Sequence, residues 1–267
     1  MTDRPTLTWP GLACMAADVG FLVYKYHRAM RATSLNAAFA DPVYVPLLLS
    51  ALYLAMIYGG RRWMRTRQPL HVRGPMLAYN LYQTTLNLWM VGAFLGEVYS
   101  SGMPVWGSGI DSSTVHGRRL GFLIYAHYHN KYVEYADTLF MVLRRKDDQI
   151  SFLHVYHHAL LPWSWYAVVR WAPGGDAWFG AYCNSLVHVF MYAYYLCAVL
   201  GVRCPWKRQL TQMQMGQFCL CFAHSVYVGY LGSDVYPRPL TALQAFVMLN
   251  MLFLFGNFYA KSYPTGG

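Results

Sequence analysis

His154-Val155-Tyr156-His157-His158 places three imidazoles within five residues of an apolar stretch that runs on to Tyr166. Residues at i, i+3 and i+4 share one face of a helix, so His154, His157 and His158 project together. Each buried imidazole needs a polar partner of its own, and three on one apolar face are hard to satisfy by core packing alone. The cluster therefore points to metal ligation, to general acid–base work, or to covalent transfer through an imidazole nitrogen.

Three further stretches carry polar residues at helical spacing. Lys131, Glu134, Asp137 and Thr138 form one stripe, with Gln149 just ahead of the histidines. Asn184, His188, Tyr192 and Tyr195 form a second, and Thr211, Gln214, Gln217, Cys221 and His224 a third. A charge at mid-bilayer depth costs about 2.5–3.5 kcal/mol on insertion scales, so such residues turn inward and mark function. Lys131 and Glu134 also suit a structural ion pair, and the amides suit interhelical hydrogen bonds. Four polar faces are best satisfied together, around one shared cavity.

The elements that must hold these stripes are membrane helices. Of 267 residues 56% are hydrophobic and only 12% charged, whereas soluble domains carry about a quarter charged residues. Aromatics at 17% suit bilayer interfaces. Seven apolar stretches are near the ~20 residues needed to cross: about 42–60, 74–94, 120–143, 150–171, 177–202, 209–231 and 240–259. The reading is an all-α integral membrane protein with one seven-span catalytic domain over 42–260. Residues 1–41 read as an interfacial or packed N-terminal segment, because Asp18 interrupts their apolar patch. Residues 261–267 read as a short tail.

Loops after the first, third and fifth spans hold eleven Lys and Arg, against four (Arg118, Arg119, Arg170, Arg238) in the others. The positive-inside rule puts the richer set, and the C-terminus, in the cytosol. The histidines then lie near the cytosolic side, rimmed by Arg144, Arg145, Lys146, Lys207 and Arg208. Such a rim suits a polyphosphate carrier whose apolar tail enters the bundle. The net charge of +10 sits in short clusters between spans, which argues against nucleic acid. Six cysteines show no paired spacing, and no signal-peptide pattern precedes the first span.

A His-x-x-His-His box also occurs in metal-dependent membrane desaturases and hydroxylases. A di-iron centre needs several such boxes, and the ten histidines here form one. A single Zn on three histidines stays open. A seven-span transporter or receptor would explain the spans but not the clustered chemistry.

Lys131-x-x-Glu134-x-x-Asp137-Thr138, Gln149 through His158, Asn184-x-x-x-His188-x-x-Met191-Tyr192, and Thr211-x-x-Gln214-x-x-Gln217 together resemble the ELO family of fatty-acid elongases. The resemblance covers about residues 40–260. It implies the condensing step of elongation, in which acyl-CoA and malonyl-CoA give a 3-oxoacyl-CoA with loss of CO₂ and CoA. It also implies an endoplasmic-reticulum enzyme with six of its helices around an acyl tunnel, and often a homodimer. No metal or other cofactor is expected, and the partners expected are the reductases and dehydratase of the cycle. The expected catalytic residues are His157, as the acyl carrier, with His154, His158 and His188. Lys131, Glu134, Asp137, Asn184, Tyr192, Gln214, Gln217, Arg144, Arg145, Lys207 and Arg208 would contact substrate. Tyr156, with Leu153 ahead of the box, resembles members acting on polyunsaturated chains.

Overall fold

The computed structural model describes residues 9–232 and 234–263, so residues 1–8 of the N-terminal segment and 264–267 of the expected tail lie outside the described residues. Every apolar stretch read from the sequence coincides with helix. These are α3 (Tyr44–Met64), α4 (Arg73–Ser101), α5 (Val115–Val133) with α6 (Tyr135–Leu143), α7 (Phe152–Trp171), α8 (Ala177–Leu200), α9 (Lys207–Leu231) and α10 (Arg238–Ser262). They are preceded by α1 (Trp9–Arg31) and the short α2 (Leu35–Phe39). Among the described residues there is no strand. Three stretches among the described residues are long and apolar enough to cross a membrane: Leu35–Met64, Ala177–Leu200 and Arg238–Ser262. This is an all-helical membrane protein.

The interruption at Asp18 does not end the first helix. Asp18 turns inward, where His129 Nε2 lies 2.6 Å away and the Tyr82 hydroxyl donates to it. Lower on the same helix, Lys25 Nζ meets Asp41 Oδ1 at 2.9 Å, and Tyr125 donates to the other carboxylate oxygen at 3.1 Å. Helix α1 is thereby fastened to α4 and α5. The expected single helix over 120–143 begins earlier, at Val115, and breaks at Glu134. There the ladder tightens, with Asp137 N donating to Glu134 O at 3.1 Å.

Neighbouring helices succeed one another in a cycle. Helix α4 packs on α8, α8 on α9, α9 on α10, α10 on α7, α7 on α5, and α5 back on α4. Helix α3 lies against α6 and α7. Its approach to α6 depends on Gly60, where a Cβ would come within 2.8 Å of Val142 Cγ1. At the end away from the histidine box, Asp176 accepts from the amides of Gly107 and Ser108, each at 3.0 Å, and ties that loop to the start of α8. In the same loop the hydroxyls of Thr114 and Ser113 hold the Asp111 carboxyl down at about 2. Thr114 in turn caps α5 by accepting from Gly117 N at 3.0 Å.

Candidate active site

The first turn of α7 sets the histidines. Ser151 is its N-cap, accepting from His154 N at 3.3 Å. Replacing Ser151 with alanine is expected to cost roughly 1 kcal/mol, read as a lower thermal midpoint in detergent with a few-fold loss of turnover. The three rings do cluster: His154 and His158 are 4.5 Å apart between centroids, and His157 and His158 5.2 Å. They do not share one environment. His154 Nε2 is 2.7 Å from Thr138 Oγ1, which in turn lies 3.2 Å from the Tyr53 hydroxyl. His158 is buried, 6.2 Å from the Tyr53 ring. Of the three, His157 lines the cavity described next, and its Nδ1 is buried without a hydrogen-bond partner among the described residues.

That cavity is narrow, about 50 Å³ of space open to a water-sized sphere, and runs between α7, α8, α9 and α10. Asn184 and Gln217 join His157 at one end, and Val168, Gly180, Leu240 and Gln244 line the other. Two contacts fix the register. His157 lies 6.4 Å from Phe255 on α10, and a Cβ at Gly180 would sit 3.1 Å from Gln244 Nε2. The eleven-residue step from His157 to Val168 makes the cavity about 16 Å long. Between its ends the wall is apolar, with Leu161, Phe218, Val247 and Met251.

Behind the polar end sits a buried ion pair. Lys131 Nζ donates to Glu134 Oε1 at 2.7 Å, with both side chains 1% exposed. Lys131 also donates to Asn184 Oδ1 at 2.8 Å. His188 Nδ1 approaches Glu134 Oε1 to 3.1 Å, off the line of a good hydrogen bond, and Asn184 Nδ2 is 3.5 Å from His188 Nε2. Asp137 does not join this pair. It accepts from the Tyr192 hydroxyl at 2.8 Å, and Tyr192 meets the Tyr79 hydroxyl at 3.3 Å.

A family model described as ELO, the GNS1/SUR4 family, matches residues 38–267. The chain belongs to the ELO family. Very long chain fatty acid elongase 4 of Homo sapiens is 36% identical over 222 residues, covering 81% of this chain and 70% of that protein. Very long chain fatty acid elongase 5 of Xenopus tropicalis is 34% identical over 224 residues, 82% of this chain and 76% of that protein. The match leaves α1 outside and takes in every helix that carries an ELO motif.

Several expected positions lie outside the lining of that cavity. His224 shares a stripe with Gln217 but lies at the far end of the bundle, 3.6 Å from Asp176 and stacked on Phe179 at 4.5 Å. The stripe from Thr211 to His224 is about 20 Å long, longer than the site. Tyr195, near the end of α8, is 38% exposed. Gln214 is half-buried, its Nε2 3.9 Å from Met191 Sδ. On the rim Arg145 donates to Arg67 O at 3.1 Å and Arg208 to the Tyr259 hydroxyl at 2.8 Å, while Lys207 is exposed and Arg144 half-buried. Among the described residues no three His, Cys, Asp or Glu side chains are arranged to hold a metal ion. Sequence reasoning missed Asn80, Gln83, Asn87 and Asn130, all buried, of which Asn130 donates to Glu134 of the ion pair. The first three recur at i, i+3 and i+7 on α4, which is the same signal that found the other stripes.

Proposed function

We propose that this chain is the condensing enzyme of very-long-chain fatty-acid elongation, joining a long-chain acyl-CoA to malonyl-CoA with release of CO₂ and CoA to give a 3-oxoacyl-CoA. Membership of the ELO family and the names of its relatives support the reaction. The single structural observation that carries the mechanism is the place of His157 on the wall of that apolar cavity.

In this reading the His157 imidazole attacks the thioester carbon, the C–S bond breaks, and CoA leaves with the proton that the ring sheds. Malonyl-CoA then loses CO₂, the resulting enolate carbon bonds to the acyl carbon, the acyl–nitrogen bond breaks, and the departing ring nitrogen takes a proton from solvent, which restores the neutral imidazole. Asn184 and Gln217 offer amide donors where charge develops on oxygen. His154, His158 and His188 flank the transfer, and Lys131 and Glu134 hold Asn184 and His188. Asp137 and Tyr192 brace that network. Arg144, Arg145, Lys207 and Arg208 meet the CoA phosphates. No metal or other cofactor enters the chemistry.

The finer architecture belongs to the same proposal. All seven helical stretches from α3 to α10 cross the bilayer, six surround the acyl tunnel, and the C-terminus is cytosolic in the endoplasmic reticulum. Homodimers form, and the cycle's reductases and dehydratase consume the product. Tyr156 in the box favours polyunsaturated chains. Release of labelled CO₂ from malonyl-CoA, dependent on acyl-CoA, tests the reaction. No release across saturated and polyunsaturated acyl chains overturns it.

The cavity also sets an expected limit on chain length. A side chain at Gly180 would fill the space against Gln244, so Gly180→Leu is expected to lower kcat/KM for the longest chains accepted. Each excluded methylene costs about 0.8 kcal/mol, about fourfold, while shorter chains are spared. Gly180→Ala should shift the product ladder less, in the same direction. Unchanged product lengths in both variants would place the chain's end elsewhere.

A further inference from the structure

The buried amides of α4 belong to none of the motifs, yet their hydrogen bonds have a direction. Asn87 Nδ2 donates to the backbone carbonyl of Gln83 at 2.8 Å and to Gln83 Oε1 at 3.2 Å. A carbonyl oxygen only accepts, so Asn87 must turn its NH₂ this way, and Gln83 must turn its oxygen to meet it. Gln83 Nε2 is then left to donate to Asn130 Oδ1 at 3.0 Å. That bond turns the Asn130 NH₂ onto Glu134 Oε1 at 3.2 Å. A carboxylate also only accepts, so the far end agrees with the near end. Each amide has one orientation, and the sequence of donors runs from α4 to Glu134. The loose end is Asn87 Oδ1, buried without a partner among the described residues. A residue kept only to fill space would not carry that unmet acceptor.

The other side of Glu134 leads to His188. Lys131 donates to Asn184 Oδ1, which turns Asn184 Nδ2 toward His188 Nε2. An NH₂ facing Nε2 requires a lone pair there. His188 Nδ1 lies 3.1 Å from Glu134 Oε1, where a second lone pair would be repelled. Both constraints put the proton on Nδ1.

We propose that Asn87, Gln83 and Asn130 form a one-way amide relay that holds Glu134 as a pure acceptor and so fixes His188 as the Nδ1–H tautomer, with Nε2 as the basic nitrogen beside Asn184. These three are positioning residues; they act through Glu134 and touch no reacting atom. The consequence for turnover rests on the condensing reaction proposed above, but the tautomer does not.

The test is ¹⁵N NMR of imidazole-labelled protein in lipid nanodiscs, without substrate, the His188 signals being assigned by difference from His188→Gln. The expected wild-type spectrum has protonated Nδ1 and unprotonated Nε2. Gln83→Glu places a carboxyl group that, ionised, accepts from both Asn87 and Asn130, turning the Asn130 oxygen onto Glu134. Gln83→Met keeps the volume and removes the amide. Both are expected to give a mixed His188 tautomer and to lower kcat about 10–100-fold, with KM for acyl-CoA and malonyl-CoA within about twofold. An Nε2–H tautomer in the wild type, or a wild-type tautomer and kcat in Gln83→Met, overturns the relay. If neither substrate supports turnover but the tautomers shift as stated, the relay stands and the condensing reaction falls.

Discussion

Alanine at His157 is expected to lower turnover of acyl-CoA with malonyl-CoA at least about 10⁴-fold, the scale on which removal of a covalent nucleophile acts. The argument is one of position. Three imidazoles share a helical turn, but Thr138 occupies the Nε2 of His154 and His158 is buried against Tyr53 and Tyr135. His157 is left at the polar end of the cavity, beside Asn184 and Gln217. His158→Ala removes a neighbour of the nucleophile, so its expected loss is smaller, about 10–100-fold. Steady-state CO₂ release from both variants checks the order. A His157→Ala enzyme that keeps a tenth of wild-type turnover contradicts it.

The largest effect on stability is expected at Lys131 and Glu134. Their side chains are 1% exposed and 2.7 Å apart, so removing one leaves the other charged and buried. Lys131→Met or Glu134→Gln should each cost about 3–5 kcal/mol, seen as a large fall in the thermal midpoint in detergent. The pair Lys131→Met with Glu134→Gln leaves no uncompensated charge and should recover most of that loss, because a buried ion pair contributes little beyond a well-packed neutral substitute. Turnover should not recover with it, since Asn184 and His188 lose the partners that orient them. A double variant as unstable as the singles would mean that the pair is not coupled in this way.

Much of this arrangement is legible in the sequence because the bilayer forces it to be. Each span must bury its polar residues, so stripes at i, i+3 and i+4 in apolar stretches announce a common interior. That logic brought Lys131, Glu134, His157, Asn184, His188 and Gln217 to one end of the bundle. It failed where a stripe outran the site, as at His224, and where it was not applied, as at Asn80, Gln83 and Asn87. The break at Glu134 carries no proline or glycine, so nothing in the local sequence marks it. Asp18 looked like an interruption because its partners, Tyr82 and His129, are distant in the chain. Which of three adjacent histidines meets the cavity depends on how α7 is rotated against α10, and that is a property of packing alone.

The central claim is that His157 carries the acyl group. Purified enzyme mixed with acyl-CoA in the absence of malonyl-CoA, then digested and mapped by mass spectrometry, tests it most directly. The expected result is one acyl group on the peptide containing His157, with free CoA released in equal amount. No adduct, and CoA released only once malonyl-CoA is added, would contradict it.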